Sequence, residues 1–174
     1  MQTHYTIRQV NTEDSGVVNT LTDLHKHCLP ADDLPDFTKG WWWIMYDRNK
    51  YPAGFAGLVP SNRWIDCGYL SRAGILLYHR GKGLQKRLIH ARILKARKLG
   101  YEYLFSDTHD NVPSVNNLIA CGFKLYDPRT PYGAEKTLYW RLKLKPICHT
   151  KTPKKPKRSK LNTPKNITRR IKTR

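Results

Sequence analysis

A short basic loop rich in glycine is the part of the sequence that points most directly to chemistry. The segment His79–Gln85 reads HRGKGLQ and precedes a strong helical pattern that begins near Leu84. Gly81 and Gly83 let the backbone approach a ligand closely, and the helix start presents its N–H groups at the same place. It is neither a P-loop nor a dinucleotide fingerprint, which would need glycine at Lys86. The loop predicts a cradle for a diphosphate, although such a loop alone is more often a plain strand-to-helix turn.

The rest of the sequence up to Leu144 alternates between strand and helix patterns that must position this loop. Runs of alternating, aromatic or β-branched residues predict strands at Tyr5–Val10, Trp41–Tyr46, Gly54–Val59, Ile65–Leu77 with a break near Gly74, Tyr101–Asp107, Phe123–Tyr126 and Leu138–Leu144. Apolar residues at helical spacing predict helices from an N-cap at Thr12 to Cys28, from about Leu84 to Leu99, and from Pro113 to Cys121. This order predicts an α+β domain on a mixed, largely antiparallel sheet flanked by helices.

The charge distribution predicts where the folded domain ends. The 174 residues include 32 Lys plus Arg against 13 Asp plus Glu, a formal net charge of +19. Residues 145–174 contain twelve of the basic residues, no acidic residue and four prolines. We therefore expect a folded domain over 1–144 and a disordered Lys/Arg/Pro-rich arm over 145–174. Clustered cations favour a nucleic-acid partner for this arm over a merely solubilising role.

Composition excludes several classes of protein. With 39% hydrophobic and 11% aromatic residues the chain is not wholly disordered, and no apolar run approaches the ~18 residues of a membrane span. The N-terminus lacks the apolar region of a signal peptide, so we expect a cytoplasmic protein without a membrane partner. The four cysteines, Cys28, Cys67, Cys121 and Cys148, form no CxxC pair, which argues against a zinc ribbon or a disulfide scaffold. We expect no bound metal.

Two motifs in a fixed order resemble those of the GNAT superfamily of acyl-CoA-dependent N-acyltransferases. Arg80–Gln85, RGKGLQ, resembles the family's R/Q-x-x-G-x-G/A signature. Asn111–Ser114, followed by Gly122-Phe123, resembles its N-x-x-A/S…G-F stretch at the expected separation. The resemblance extends over residues 6–144 and implies the GNAT fold and acyl transfer, with acetyl-CoA as the co-substrate. Neither motif identifies the acceptor amine.

The resemblance also implies which residues bind the acyl-CoA. Backbone N–H groups of the glycine loop would hold the diphosphate, and the end of the preceding strand would pair with the pantetheine arm and polarise the thioester carbonyl. An asparagine would hydrogen-bond the pantetheine. The residues in these roles are Arg80, Gly81, Lys82, Gly83, Leu84 and Gln85 for the diphosphate, Ile75, Leu76 and Leu77 for the strand end, and Asn111 for the pantetheine. Lys82 and Lys86 would lie near the 3′-phosphate.

The sequence departs from the family pattern at two positions. Gln85 stands where the signature has a third glycine or alanine. Leu118 stands where many members carry a tyrosine that protonates the leaving thiolate, and leucine has no proton to give. Tyr126 or Ser114 could take over this role as the general acid, although a tyrosine in a strand is more often packed in the core.

The general base has three candidates. An ammonium must lose a proton before it attacks, which requires a carboxylate or an imidazole near the cleft. Asp107 occupies a strand position that is usually apolar in the family, near the acyl group, so it is either a base, a receptor for a cationic amine or a strand-end residue facing solvent. His109 and Asp66 are the other candidates.

Three functions are compatible with these features. The first is an acyltransferase whose acceptor amine is on or near a nucleic acid. The second is an acetyltransferase of a small amine or a protein, with an arm that serves unrelated binding. The third is a non-catalytic nucleic-acid-binding protein of this fold. The glycine loop and Asn111 argue against the third, because a scaffold needs no cofactor cradle.

Overall fold

Seven strands and three α-helices make up residues 4–145, the part of the chain that the computed structural model describes. The strands are β1 (Thr6–Val10), β2 (Trp41–Tyr46), β3 (Pro52–Pro60), β4 (Cys67–Ile75), β5 (Tyr103–Thr108), β6 (Lys124–Leu125) and β7 (Leu138–Lys143). The helices are α1 (Ser15–Cys28), α2 (Leu84–Lys98) and α3 (Val112–Ala120), with a short 3-10 helix at Leu77–His79. Within these residues one sheet has the order β1-β2-β3-β4-β5-β7-β6, and β4–β5 is its one parallel pair. The predicted α+β fold on a largely antiparallel sheet is confirmed.

Helices cover both faces of the sheet. Successive strand residues point to opposite faces, so the apolar residues of one strand can pack against helices on either side. On one face, α1 forms a buried cluster with β2 and β3 whose members include Leu21, Leu24, Trp42, Ile44 and Phe55. On the other face, α2 and α3 form a second cluster with the strands, whose members include Trp43, Leu58, Leu88, Ile93, Leu104, Leu118 and Trp140. The neighbouring tryptophans of β2 therefore belong to different cores.

The sheet opens between β4 and β5, because these strands pair over only three residues. Cys67–Tyr69 pairs with Tyr103–Phe105, and beyond that point β4 continues to Ile75 beside β3 alone. Over its last residues β4 therefore has a free edge on the β5 side within the described chain. The wedge between the two strands opens toward their C-terminal ends, where β4 leads into the glycine loop.

A bulge in β4 lies where this wedge begins. Ala56 of β3 faces Ala73, whereas Leu58 faces Leu70, so β4 has one more residue than β3 between these two pairs. The extra residue belongs to positions 71–72. Such a bulge bends the strand and increases its twist, which turns the end of β4 away from its neighbour.

Most element boundaries lie within about two residues of the sequence prediction, and the structure explains the differences at α1 and β4. Asp14 rather than Thr12 caps α1, since its carboxylate accepts two backbone N–H groups of the first turn at 2.8 and 3.4 Å. β4 starts at residue 67 because Asp66 has a left-handed φ of 53°, and it ends before Leu77, which enters the 3-10 helix. No break occurs at Gly74, which pairs with Phe55; the irregularity in β4 is the bulge at positions 71–72.

The described chain ends just after the predicted domain boundary. Leu144 is buried, and its backbone N–H donates to the carbonyl of Glu102 at 2.8 Å. The predicted arm, 145–174, lies outside the described residues except for Lys145, and the boundary stays a prediction. None of the helices in residues 4–145 has the length and apolar character that a membrane crossing demands. In the same residues no three His, Cys, Asp or Glu side chains gather as metal ligands would.

Candidate active site

The glycine loop forms an open turn at the start of α2, at the place where the sequence predicts a cradle for a diphosphate. Gly81 and Gly83 have φ angles of 76° and 70°, in the left-handed region where a side chain is strained, and Gly83 is the N-cap of α2. A Cβ atom on Gly81 would meet nothing within 4 Å. Glycine is therefore required by the backbone conformation, while the space beside it is left open. The N–H groups at the start of α2 have no carbonyl partner within the helix and are free to bind an anion.

A cavity of about 720 Å³ lies beside this loop, and we call it the cradle cavity. Its lining from the loop and from α2 comprises Arg80, Gly81, Gly83, Leu84, Gln85 and Lys86, and its lining from the region of α3 includes Asn111 and Ser114. The Arg80 guanidinium donates from Nε to the carbonyl of Ile75 at 2.9 Å, which ties the loop to the end of β4.

The two lysines predicted near a phosphate lie in different places. Lys86 lines the cradle cavity, whereas the Lys82 side chain does not. Lys82 donates from Nζ to the Tyr5 hydroxyl at 3.2 Å and lies 5.7 Å from the centre of that ring. The Lys82 ammonium is therefore held against the first strand, and Lys86 is the better placed of the two for a bound phosphate.

The free edge of β4 forms the opposite wall of the cradle cavity. Ala73, Gly74 and Ile75 line it, and Leu76 and Leu77 do not. The Leu76 N–H is already bonded to the carbonyl of Ala53 at 3.0 Å, and Leu77 is 68% exposed in the 3-10 helix. Of the strand end predicted to meet a pantetheine arm, Ile75, Leu76 and Leu77, only Ile75 lines the cavity, and its role stays a prediction.

A second cavity, of about 710 Å³, continues from the first through the wedge, and we call it the carboxylate cavity. Its polar lining includes Asp32, Asp33, Tyr69, Arg72, Arg92, Asp107, His109 and Tyr132. Five residues line both cavities and mark their junction: Leu29, Ala73, Gln85, Asn111 and Ser114. A ligand bound in the cradle can therefore extend to the carboxylates without leaving the protein.

Asp107 is half-buried in the carboxylate cavity and accepts a hydrogen bond from the Tyr69 hydroxyl. Tyr69 faces Phe105 in the parallel pairing, so Asp107 lies two residues further along β5 on the same face. Burial, and next the Asp107 charge, raise the pKa of Tyr69 well above its usual range. Tyr69 thus remains protonated and is a permanent donor to the carboxylate.

A buried arginine holds the bulge from the side of α2. Arg92 is 2% exposed and donates to the carbonyls of Leu88, Gly57 and Ser71 at 3.2, 3.3 and 3.4 Å. Burial lowers the pKa of Arg92 to about 9, so the guanidinium is charged at neutral pH. Its bonds to β3 and to the bulge in β4 fix the point at which the wedge begins. No carboxylate pairs with it among the described residues.

The second family-like motif forms the N-terminus of α3. The Asn111 side chain caps this helix, accepting the backbone N–H of Ser114 at 3.0 Å, and both residues lie at the junction of the cavities. Leu118 is 3% exposed and lines the carboxylate cavity, so an apolar group occupies the place of the family's acidic tyrosine. Among residues 4–145, Ser114 carries the one hydroxyl that lines both cavities.

The remaining candidates are placed less favourably. Tyr126 lines neither cavity and packs its ring against Phe105 and Tyr139, with centroids 5.6 and 6.4 Å apart. Asp66 also lines neither cavity, because it precedes β4 at the end where the strands are still paired. His109 lines the carboxylate cavity, but its side chain is 51% exposed and lies 3.6 Å from Asp110. Asp107 is therefore the best-placed base and Ser114 the best-placed acid of those predicted.

Sequence reasoning missed Tyr69, Tyr132 and Arg92. The two tyrosines belong to the site only because β4 pairs in parallel with β5 and the loop before β7 folds over the cavity, and neither feature has a local signal. Arg92 does have a local signal in the sequence, because the helical spacing places it with Leu88 and Ala96 on the buried side of α2. A cation on an apolar helix face indicates a buried, hydrogen-bonded role.

Comparison with known proteins agrees with this architecture. The sequence profile described as the acetyltransferase (GNAT) family matches residues 9–123. No curated protein matches the chain by sequence. Among solved structures, the ribosomal-protein-S18-alanine N-acetyltransferase of Escherichia coli superposes with a TM-score of 0.65 at 15% identity, covering 84% of this chain and 98% of its own.

Two further structures carry a ligand. A Bacillus subtilis acetyltransferase in complex with CoA has a TM-score of 0.63 at 18% identity, covering 81% of this chain and 99% of its own. A GNAT family acetyltransferase from Elizabethkingia anophelis with acetyl-CoA bound has a TM-score of 0.62 at 18% identity, covering 80% and 98%. At these identities the superpositions establish the fold, and the profile match, over more than half of the sequence, establishes the family. The chain belongs to the GNAT family of acetyltransferases.

Proposed function

We propose that the protein transfers an acetyl group from acetyl-CoA to a primary amine that enters the carboxylate cavity beside Asp107. The observation that carries this proposal is the junction of the two cavities. A cradle suited to phosphates lies on one side, a hydrogen-bonded carboxylate lies on the other, and Gln85, Asn111 and Ser114 lie between them.

Acetyl-CoA would bind with its diphosphate on the N–H groups at the start of α2, as family membership implies. Lys86 supplies a cation there, and Arg80 holds the loop against the end of β4. The pantetheine arm would run along the free edge at 73–75 toward the junction. A backbone N–H of this edge is suited to stabilise the oxyanion that develops on the thioester carbonyl.

The chemistry follows from the groups around the junction. The acceptor ammonium gives a proton to Asp107, directly or through water, and its nitrogen lone pair attacks the thioester carbonyl carbon. The resulting tetrahedral intermediate gives its second ammonium proton to water, and the C–S bond then breaks as the amide forms. The departing thiolate is protonated by the Ser114 hydroxyl, which regains a proton from solvent. Leu118 excludes water from this wall and supplies no proton.

The lining of the carboxylate cavity favours a cationic acceptor. Asp32, Asp33 and Asp107 line it together with two arginines: Arg72 forms an ion pair with Asp32 at 3.0 Å, and Arg92 is buried against backbone carbonyls. Three carboxylates against two guanidinium groups leave one negative charge in excess, which favours an ammonium group, and the ring of Tyr132 supplies an aromatic wall for its stem. A primary amine on a flexible carbon chain fits this description.

The charge distribution favours an acceptor that is carried on or near a nucleic acid. Residues 80–98 contain eight Lys and Arg and no acidic residue, and residues 145–174 contain twelve and none. The rest of the chain has twelve basic and thirteen acidic residues, which nearly cancel. The excess charge thus belongs to two segments, and a polyanion is the partner that clustered cations bind.

Intact-mass spectrometry of candidate acceptors tests the proposal. The full chain is incubated with acetyl-CoA and, in turn, a polyamine, a lysine-containing peptide and an oligonucleotide that bears a primary amine. We expect the mass of one acetyl group on the oligonucleotide amine, formed roughly 10²-fold more slowly with Asp107→Asn at the same protein concentration. Acetylation of the polyamine or peptide alone would reject the nucleic-acid acceptor, and no acetylation of any amine would reject the transfer.

A salt titration tests the nucleic-acid partner separately. Binding of the full chain to duplex DNA should weaken with salt, with log K falling by about 0.9 per unit of log salt for each phosphate contacted. Replacing Lys154, Lys155, Lys157 and Arg158 by glutamine should flatten this slope. Binding that ignores both salt and these substitutions would reject an electrostatic role for the basic segments.

A further inference from the structure

Gln85 carries a buried polar atom that the protein itself does not satisfy. It is the second residue of α2, directly after the cradle, and its side chain lines both cavities. Its Oε1 atom is buried and has no hydrogen-bond partner among residues 4–145. An unpartnered buried amide oxygen is unfavourable, and such groups are rare in folded proteins unless a ligand supplies the partner.

The neighbours of Gln85 explain why no protein donor reaches this atom. Across the cavity lies the free edge of β4 at Ala73 and Gly74, which carries no polar side chain. Asn111, the other amide at the junction, is turned to α3 by the bond that its Oδ1 atom accepts from the Ser114 N–H, and its amide NH₂ group does not bond Oε1. The space between Gln85 and the edge of β4 is the passage from the cradle to the carboxylate cavity, and any acetyl-CoA that reaches Asp107 must place its arm there.

The chemistry of acetyl-CoA narrows the identity of the missing donor. Amide oxygens only accept hydrogen bonds, so the phosphates and the thioester, which are acceptors as well, cannot satisfy Oε1. The pantetheine arm contains two amide N–H groups and one hydroxyl group, which can. The acceptor ammonium is a further possible donor, but Asp107 and the carboxylates beside it attract that group to the carboxylate cavity.

We propose that Gln85 is a positioning residue for the pantetheine arm: a donor group of the arm, an amide N–H or the hydroxyl, bonds to Oε1 and holds the arm at the junction of the two cavities. This inference rests on the proposed binding of acetyl-CoA. It also gives a reason for the departure from the glycine or alanine of the family signature, since the longer side chain reaches a part of the ligand that a smaller residue leaves to the strand.

The test compares the affinities of two ligands, one with the pantetheine arm and one without it. CoA contains the pantetheine, and adenosine 3′,5′-bisphosphate carries nucleotide phosphates without it. Calorimetric titration of the full chain with both should show binding. Gln85→Met keeps the size of the side chain and removes the acceptor, so CoA affinity should fall roughly 3- to 10-fold, the usual effect of one hydrogen bond, with the bisphosphate affinity unchanged.

Two further variants make the outcome decisive. Gln85→Ala removes the amide without adding apolar bulk and should give the same ligand-specific loss. Lys86→Met removes a cation from the cradle and should weaken both ligands. Equal weakening of both ligands by Gln85→Met, or no weakening of either, would overturn the role of Gln85. Failure of the unaltered protein to bind either ligand would instead overturn the proposed function.

Discussion

The Tyr69 hydroxyl donates a hydrogen bond to the Asp107 carboxylate across the gap where β4 and β5 separate. Tyr69 is the last residue of β4 that pairs with β5, and Asp107 lies two residues beyond its partner Phe105, where the strands are no longer paired. The contact therefore fixes the carboxylate within the carboxylate cavity, which the proposed acceptor amine would enter. Tyr69 thereby orients Asp107 without itself losing a proton, because its pKa is raised by burial.

Substitution at Asp107 should reduce turnover and leave ligand binding intact. Asp107→Asn keeps the size of the group and removes the charge that accepts a proton. We expect kcat to fall roughly 10²-fold, the usual scale for a general base, with the calorimetric affinity for acetyl-CoA unchanged. An unaltered kcat at a saturating acceptor concentration would move the base to His109.

Tyr69→Phe should have a smaller effect of the same kind. The ring remains to fill its half-buried place, and only the donor to Asp107 is lost. We expect kcat/KM to fall about 10-fold, consistent with one charge-assisted hydrogen bond. Tyr103→Phe is the matched control, because its ring lies on the same face of β5 near Lys143 and outside both cavities. Equal effects of the two substitutions would contradict a specific role for Tyr69.

Ser114 should act on the leaving group. Ser114→Ala removes the hydroxyl that lines both cavities but keeps the backbone N–H that Asn111 caps, so α3 should remain in place. We expect kcat to fall about 10-fold. This loss is smaller than the usual effect of removing a general acid, because the CoA thiolate is a good leaving group. Ser114→Thr keeps the hydroxyl and should retain most of the rate. If alanine and threonine behave alike, solvent alone protonates the thiolate.

Much of the cradle was predictable from sequence, because its determinants are local. RGKGLQ specifies two left-handed glycines and a helix start within six residues, and Asn111 and Ser114 form a cap within one turn. The contact of Tyr69 with Asp107 joins residues 38 positions apart through a parallel pairing and a bulge, neither of which leaves a local pattern. The sequence predicts one strand over Ile65–Leu77, longer than β4, because the left-handed Asp66 and the 3-10 helix that bound β4 have no clear local pattern.

Arg92 should contribute strongly to stability. Arg92→Met fills a similar volume but leaves the carbonyls of Gly57 and Ser71 without their donor inside the protein. We expect the free energy of unfolding to fall by about 3 kcal/mol in urea denaturation. Lys98→Met, at an exposed position of the same helix, should change it little. A loss at Arg92 no larger than that at Lys98 would show that the bulge needs no arginine.

His25 should make stability depend on pH. It is 1% exposed, its Nε2 has no partner among the described residues, and burial, then the Arg72 charge, lower its pKa below 6.5, while Asp32 opposes this shift. The unfolded chain therefore binds a proton that the folded chain does not. The contribution of neutral His25 to the free energy of unfolding is complete above the pKa that histidine has in the unfolded chain. This contribution is lost as the pH falls below that pKa.

The check is urea denaturation at about pH 7.5 and about pH 5.5, across the ordinary titration of histidine. Between these values the unfolding free energy should fall more for the unaltered protein than for His25→Leu. His27→Leu, at an exposed position of the same helix, should keep the full pH dependence. If His25→Leu leaves the pH dependence of the unfolding free energy unchanged, the buried His25 side chain does not cause that dependence.

The most direct measurement of the central claim is a calorimetric titration of the full chain with acetyl-CoA. The account predicts binding at one site per chain, abolished by Gly83→Glu, which puts bulk and negative charge where the phosphates bind. Gly100→Glu is the matched control, because Gly100 has a φ of 78°, close to the 70° of Gly83, and neither site crowds a Cβ atom, but Gly100 follows the far end of α2. It should carry the same backbone strain and retain binding. No binding by the unaltered protein at millimolar acetyl-CoA, or equal loss in both glutamate variants, would contradict the account.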